Sequence, residues 1–413
     1  MRRNQQRKRR LTLKKRGKKR KFSLKRQTKK KVKIHCFNKT ENSCGLGELK
    51  RLEKEIKKKE QKKTIIDIES VLKDKSKWDV EVDETREPLN IVFIGHVDSG
   101  KSTICGELLL LTGKVDPLEL KKLEEEAKSK NRESWYLAYL MDISEEEKAK
   151  GKTVEVGKAT FELQTKRFTI LDAPGHKNYV PNMIQGAAQA DVACLVISAK
   201  AGEFESGNSI CKLPILIPKT GFDKGGQTRE HAMLARALGV TELIILVNKM
   251  DEGSVQWSKK RFDEIKDKLS PFLQKACGYD LEKHVRWIPI SGLYGFNMKE
   301  KLDKSVCNWY DGDPLLTVFD NLPIPPRDRN GPIRIPVLDK MKDQGASYVF
   351  GKVESGTIHP GQTVTFLPSC EEGQVVAVFN NDDKRIPYGK PGENIKVYLR
   401  NKTVSYSCSI RSK

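Results

Sequence analysis

Hydrophobic and polar positions fall into three textures along the chain. From Asn90 onward, short β-branched runs (IVFIG at 91–95, FTIL at 168–171, VACLVIS at 192–198, LIILVN at 243–248, VRWIPIS at 285–291) alternate with segments of helical character. Strand runs that are apolar on both faces and separated by helices predict a mostly parallel α/β sheet covered on both sides, with its working loops after the carboxyl ends of the strands. After Asp320 the stretch NLPIPPRDRNGP reads as a Pro-rich linker. Beyond it IRIPVLD, SYVFGKVES, QTVTFLP, QVVAVF and NIKVYLR, with turns at Gly361, Gly373 and Pro391-Gly392, predict a small β-barrel. Before Asn90 the rhythm is lost. LGELKRLEKEIKKKEQKK favours helix but has little apolar face, and IIDIESVLKD is a short amphipathic stretch ahead of DVEVDETREP. Over residues 1–35 only Leu11, Leu13, Phe22, Leu24, Val32 and Ile34 interrupt a basic tract, too few to bury a core, so a disordered arm is expected. The expected organisation is a basic disordered arm over 1–35, a linker with helical propensity over 36–87, an α/β domain over 88–321, a linker over 322–330 and a β-barrel domain over 331–413.

Composition sharpens this division. The chain has 413 residues, 37% of them apolar, enough for a sizeable core, which excludes a wholly disordered protein. The net charge of +23 is concentrated at one end: residues 1–35 hold 19 Lys and Arg and no acid, leaving 23 − 19 = +4 for the rest. No apolar run approaches the roughly 18 residues of a membrane helix, and the basic N-terminus is not followed by an apolar stretch of the secretory kind. A soluble protein of the cytoplasm is expected, with no membrane partner. Nine cysteines, among them Cys36, Cys105, Cys194 and Cys307, are scattered without a Cys-x-x-Cys pair, a pattern that fits a reducing compartment and neither a disulfide frame nor a zinc site.

Gly95-His96-Val97-Asp98-Ser99-Gly100-Lys101-Ser102 matches G-x-x-x-x-G-K-[ST] between a predicted strand and the helical STICGELLLL, which opens at Ser102-Thr103. In this motif the glycines let backbone N–H groups approach the phosphates at a helix N-terminus, Lys101 offsets their charge, and the Ser102 hydroxyl ligates Mg²⁺. The fold class is therefore expected to be that of a P-loop GTPase domain followed by a barrel, because three further motifs follow three further strands. Asp172-Ala173-Pro174-Gly175-His176 places an Asp where it holds Mg²⁺ and a Gly whose N–H reaches a γ-phosphate. Asn248-Lys249-Met250-Asp251 supplies an amide and a carboxylate for a guanine edge, since a carboxylate accepts from N1–H and the 2-amino group and finds no such donors on adenine. Ser291-Gly292-Leu293 completes the base pocket through backbone N–H groups. GTP and GDP are the expected nucleotides.

With these motifs in place the sequence resembles the translational GTPases of the elongation factor 1-alpha superfamily. Within them it is most similar to eukaryotic polypeptide release factor three. Lys150-Gly151-Lys152-Thr153-Val154-Glu155-Val156-Gly157 looks like that family's switch I, where elongation factor 1-alpha has an Arg-Gly-Ile-Thr type. GHVDSGKST, NRESWYLAYLMD, ILDAPGHKNYVPNMIQGAAQAD, ISAKAGEFESG, GGQTREHAMLA, LVNKMD, VQWS, ISGLYGFNMKE, DNLP and GPIRIPVLDK follow the same pattern, from about Leu89 to Arg400. The resemblance implies ribosome-stimulated GTP hydrolysis in partnership with the stop-codon-reading class I release factor. It implies a Mg²⁺ and γ-phosphate contact for Thr153 beside Ser102 and Asp172, and a water-positioning role for His176, so that Lys101, Thr153 and His176 carry the chemistry.

Three departures qualify these expectations. Residues 208–220 look like an extra loop whose LPILIP core is apolar. VYLRNKTVSYSCSIRSK departs from the family pattern before Lys413, so a barrel incomplete or divergent at its C-terminus, no third domain and weaker hold on the class I factor are expected. The arm of 1–35 replaces the family's usual extension and is expected to bind RNA, or to be read as a targeting signal. A ribosome-rescue GTPase and an aminoacyl-tRNA carrier are the alternative readings within the superfamily. A ribosome-associated RNA-binding protein with a degraded GTPase is the alternative outside it, and the intact set Lys101, Ser102, Thr153, Asp172, His176, Asn248 and Asp251 opposes it.

Overall fold

A computed structural model describes residues 85–129, 133–141, 153–200, 202–204, 227–343, 346–399 and 409–412. The arm of 1–35, nearly all of the linker over 36–87, the extra loop over 208–220 and Lys150, Gly151 and Lys152 lie outside the described residues.

Six strands, β1 (Glu87–Gly95), β2 (Gly157–Glu162), β3 (Lys166–Asp172), β4 (Val192–Ser198), β5 (Glu242–Asn248) and β6 (Val285–Pro289), form one sheet in the order β2-β3-β1-β4-β5-β6. All neighbours run parallel except the edge pair β2 and β3. Every residue of β4 and β5 is buried because helices cover both faces. On one face α1 (Lys101–Leu111) and α6 (Leu315–Asp320) pack Ile104, Leu108, Leu315 and Phe319 against Ile91, Phe93 and Ile244. On the other, α3 (Val180–Ala187), α4 (Gln227–Ala237) and α5 (Lys259–Lys275) pack Met183, Ala232 and Ile265 against Val92, Ile94 and Ile245. The helix α2 (Pro117–Ser129) is mostly exposed, with Ala127 buried. In α5 the buried Phe262, Ile265, Leu269, Phe272 and Leu273 follow the three-and-four spacing of one helical stripe. Each such side chain removed from water contributes roughly 1.5–3 kcal/mol.

The second sheet contains β7 (Arg334–Asp343), β8 (Ala346–Lys352), β9 (Thr363–Leu367), β10 (Glu371–Phe379), β11 (Arg385–Ile386), β12 (Asn394–Leu399) and β13 (Ser409–Ser412). Its order is β11-β10-β12-β8-β7-β13-β9, and the pairing of β9 with β10 closes the ring. At the C-terminal end, expected to be incomplete or divergent, β13 pairs with β7 on one side and β9 on the other. Four residues suffice because Ile410, fully buried, is the one apolar side chain needed to fill the core at that position.

The barrel is bound to the amino ends of the α/β strands by buried polar groups. Asp191, just before β4, accepts from Arg327 Nη2 and Lys352 Nζ, each at 2.9 Å, and from the backbone N and Nδ2 of Asn90, also at 2.9 Å. Asn90 Nδ2 donates to Gly392 O and Asn90 Oδ1 accepts from Asn394 Nδ2. Farther along the sheet edge, Lys158 Nζ lies 3.4 Å from the centre of the Phe350 ring. Among the described residues no helix is long and apolar enough to cross a membrane, and Cys105, Cys194, Cys277, Cys307 and Cys370 are free thiols.

Candidate functional site

β1 delivers the chain into the loop 95–100, which folds back to the N-terminus of α1. A side chain at Gly95 would lie 2.3 Å from Val196 O, and Gly100, with φ at +93°, caps α1 in the left-handed region that favours glycine. No acidic residue occupies the first turn of α1, so its unpaired N–H groups face the loop with their partial positive charge intact. Lys101 is 6% exposed and its Nζ donates to His96 O at 2.7 Å. Burial lowers its pKa, against the opposing attraction of Asp172 and Asp98. A Cβ on Gly175 would stand 2.6 Å from Lys101 Nζ, 3.0 Å from Val97 N and 3.1 Å from Gly95 O, so the turn after β3 packs tightly against the ammonium and the phosphate loop.

The oxygen donors meet beside this lysine. Ser102 Oγ and Thr153 Oγ1 are 3.2 Å apart, and the fully buried Asp172 ends β3. Two hydroxyls and one carboxylate are hard ligands that fit Mg²⁺, which keeps several waters and takes substrate phosphate oxygens to complete its octahedron. Among the described residues no three His, Cys, Asp or Glu form a cluster that could hold a metal ion by themselves. His176 caps the short 3₁₀ turn Lys177–Tyr179, with Nδ1 accepting from Asn178 N at 3.2 Å. Asn182 of α3 donates to Val154 O at 2.6 Å and so ties the segment carrying Thr153 to the turn carrying His176.

Asp172 lies buried beneath the lining, while Lys101, Ser102, Thr153 and His176 open on a cleft of about 330 Å³. It is lined from the phosphate loop by Val97, Asp98, Gly100, Lys101, Ser102 and Thr103, and from elsewhere by Thr153, Gly175, His176, Lys249, Asp251 and Leu293. Asn248 also borders it, but its amide is directed inward: Nδ2 donates to Ser99 O at 2.8 Å and Oδ1 accepts from Gly292 N at 2.8 Å. The amide thereby braces the phosphate loop against the base loop, and its second Nδ2 hydrogen is not used in that brace. Ser291 N donates to Phe296 O, so of the three residues expected to offer N–H groups to the base, Leu293 is the one that lines the cleft. His96 and Ser99 face a smaller recess of about 140 Å³ behind the loop.

Four lining residues escape sequence reasoning: Ser134, Trp135, Ala138 and Glu252. A tryptophan in the otherwise polar NRESW was the available signal for the first three. His231 is a fifth omission. It is 1% exposed on α4, accepts from Gly95 N through Nδ1 at 3.2 Å, and is pushed down to about 3 by burial, with Lys101 and His96 adding to the effect. It is a neutral acceptor holding the first residue of the loop.

Residues 86–323 match the family model of the elongation factor Tu GTP binding domain. Among curated proteins, the chain is 49% identical over 318 residues to a eukaryotic peptide chain release factor GTP-binding subunit of Dictyostelium discoideum, covering 77% of this chain and 54% of that protein. It is 46% identical over 315 residues to the subunit of the same name from Schizosaccharomyces pombe, covering 76% of this chain and 45% of that one. The chain thus spans about half the length of these relatives. The GTPase-like domain of S. cerevisiae Ski7, solved with GDP and inorganic phosphate, superposes with a TM-score of 0.63 at 21% identity, over 79% of this chain and 76% of that one, a likeness of fold. The phosphate loop at the head of α1, the Asp172 turn, the two base loops and the match over 86–323 agree: the chain belongs to the family of the elongation factor Tu GTP-binding domain, and within it is similar to the GTP-binding subunits of eukaryotic release factors.

Proposed function

We propose that this protein is a GTPase of translation termination, which binds GTP and GDP with Mg²⁺ in the cleft and hydrolyses GTP on the ribosome beside a class I release factor. The observation that carries this reading is the convergence of four motifs, scattered over about 200 residues of sequence, on one cleft in a chain whose curated relatives are release-factor subunits. Those names favour termination over rescue or aminoacyl-tRNA delivery. The reading treats 88–321 as the nucleotide domain and 331–413 as the barrel, and places the protein in the cytoplasm.

In this proposal the N–H groups at the head of α1 and the Lys101 ammonium hold the β- and γ-phosphates. Ser102, Thr153 and Asp172 would hold the metal, and Mg²⁺ when bound would neutralise charge that develops on the phosphates. Asp251 accepts from guanine N1–H and the 2-amino group. His176, whose Nδ1 is an acceptor from Asn178 N, keeps its proton on Nε2 and orients the attacking water instead of acting as a strong base. Phosphoryl transfer needs little more, because its transition state is served by positioning and charge. The arm of 1–35 contributes sequence-blind electrostatic contact with RNA. The test is GTP turnover by the purified chain with ribosomes and a class I release factor. Stimulated turnover is expected, and absence of guanine-nucleotide binding or of stimulation would overturn the reading.

A further inference from the structure

We infer that Trp257 is a positioning residue for recognition of the guanine 2-amino group, acting through the two loops that carry Asp251 and Leu293; the inference rests on the guanine-nucleotide reading above. Gln256 and Trp257 both lie in the left-handed region, with φ of 48° and 53°. Neither residue type favours that conformation, so it persists where the surroundings impose it, and such positions gather near sites that need fixed geometry. The surroundings here are both base loops. The backbone N–H of Trp257 donates at 2.8 Å to the carbonyl of Met250, the neighbour of Asp251. Its own carbonyl accepts from Trp309 Nε1 at 2.7 Å, which anchors it from behind.

The indole faces the other loop. It is 8% exposed and meets the Phe296 ring edge-on, with centroids 6.4 Å apart and planes at 75°. Phe296 O accepts from Ser291 N at 3.2 Å, the bridge at the root of the loop that reaches Leu293. One residue therefore fixes the Asp251 loop with its backbone and the Leu293 loop with its ring. Met250 N also donates to Ile290 O at 3.3 Å, so the loops are joined again below the indole, and loss of the ring loosens their spacing without releasing them. The phosphate loop makes none of these contacts. A variant lacking the indole keeps its hold on phosphates and loses the alignment of Asp251 with the 2-amino group.

The experiment compares equilibrium affinities of the full chain for GDP and for IDP, which differs by the 2-amino group alone. Trp257→Leu is expected to lower the GDP-to-IDP affinity ratio about tenfold, the scale of one well-placed hydrogen bond to a charged group. Trp257→Phe restores most of it, Phe296→Leu lowers it alike, and the double variant falls no further than either single one. A purely structural role would weaken both nucleotides equally or lower the melting temperature at constant ratio, and either result overturns the inference. Should Trp257→Leu not fold, Phe296→Leu, whose ring is 47% exposed, carries the test alone. A wild-type chain that binds neither nucleotide overturns the guanine reading itself, which separates the two failures.

Discussion

The joint between the α/β domain and the barrel gives the sharpest stability prediction. The Asp191 side chain is 5% exposed and faces Arg327 and Lys352, at 9% and 7%, and Lys352 also stands 3.5 Å from the exposed carboxylate of Glu354. Removing a buried partner leaves its counter-charges without compensation in a poorly solvated place, at a cost of about 3–5 kcal/mol. Asp191→Ala takes the buried counter-charge from Arg327 and the acceptor from the Asn90 backbone N–H, while Lys352 keeps Glu354 and Asn90 Nδ2 keeps Gly392 O, so the lower part of that range is expected. For a cooperative unit of this size it corresponds to roughly 5–10 °C in melting temperature. Lys352→Met is the control. It removes one cation while Asp191 keeps Arg327 and both Asn90 bonds, so its cost should be about 1–2 kcal/mol. Thermal denaturation followed by circular dichroism, repeated at low and high salt, measures both. Because the pairs are shielded from solvent, salt should change the difference little. A loss for Asp191→Ala no larger than that for Lys352→Met, or one that vanishes in salt, would show that the carboxylate is not the hub of the joint.

Lys101→Ala should abolish nucleotide binding in a fluorescent GDP titration, whereas His176→Ala should retain it and lose on the order of 10³ in ribosome-stimulated turnover. Unchanged turnover in the latter removes His176 from the mechanism. Asp251→Asn should shift preference toward xanthine nucleotides, because an amide donates to the 2-oxo group where the carboxylate accepted, and competition between GDP and XDP reads this directly. Burial pushes Glu107 from 4.5 up to about 7, so the native state favours its protonated form and stability falls as pH rises through that interval. Glu107→Gln should flatten this part of a melting-temperature profile. His231 has the opposite sense for a base: with a native value of about 3 against 6.5, its contribution is lost as pH falls below 6.5. Deleting residues 1–35 should abolish RNA binding at low salt and leave GDP affinity unchanged, and a filter-binding salt series decides it.

Much of the site is readable from the sequence because a phosphate loop is a local object. The distance from Gly95 to Ser102 is limited by seven peptide units of chain, and the apolar runs that carry each motif announce their strands. What escapes is what depends on distant partners. Asn248 reads as a base contact because the motif names it, while its engagement with Ser99 and Gly292 exists only once two loops, 149 and 44 residues away, have come together. His231 resembles any polar residue on a helix until the loop settles above it. The short β13 carries one core side chain, Ile410, below the threshold at which alternation signals a strand. The charges that meet at Asp191 lie 136 and 161 residues away, and nothing in their local sequence distinguishes them from solvated surface.

The placement of the Asn248 amide has a consequence for how this sequence can change over time. A Cβ added at Gly100 would fall 2.3 Å from its Nδ2, and one at Gly292 would fall 3.2 Å from its Oδ1. The two glycines are the walls of a slot cut to the size of one amide, so the three positions form a single unit of inheritance although they are far apart in the chain. Replacing Asn248 by a smaller residue vacates the slot but leaves Ser99 O and Gly292 N without the partner that joined their loops. Filling Gly100 first is blocked by the amide itself, and filling Gly292 first is blocked by Ile104 Cγ1 at 2.6 Å with the amide crowding it at 3.2 Å. Drift at one position is therefore gated by the other two, and a saturation-mutagenesis map of the chain should find these residues intolerant together, with paired substitutions failing as severely as single ones.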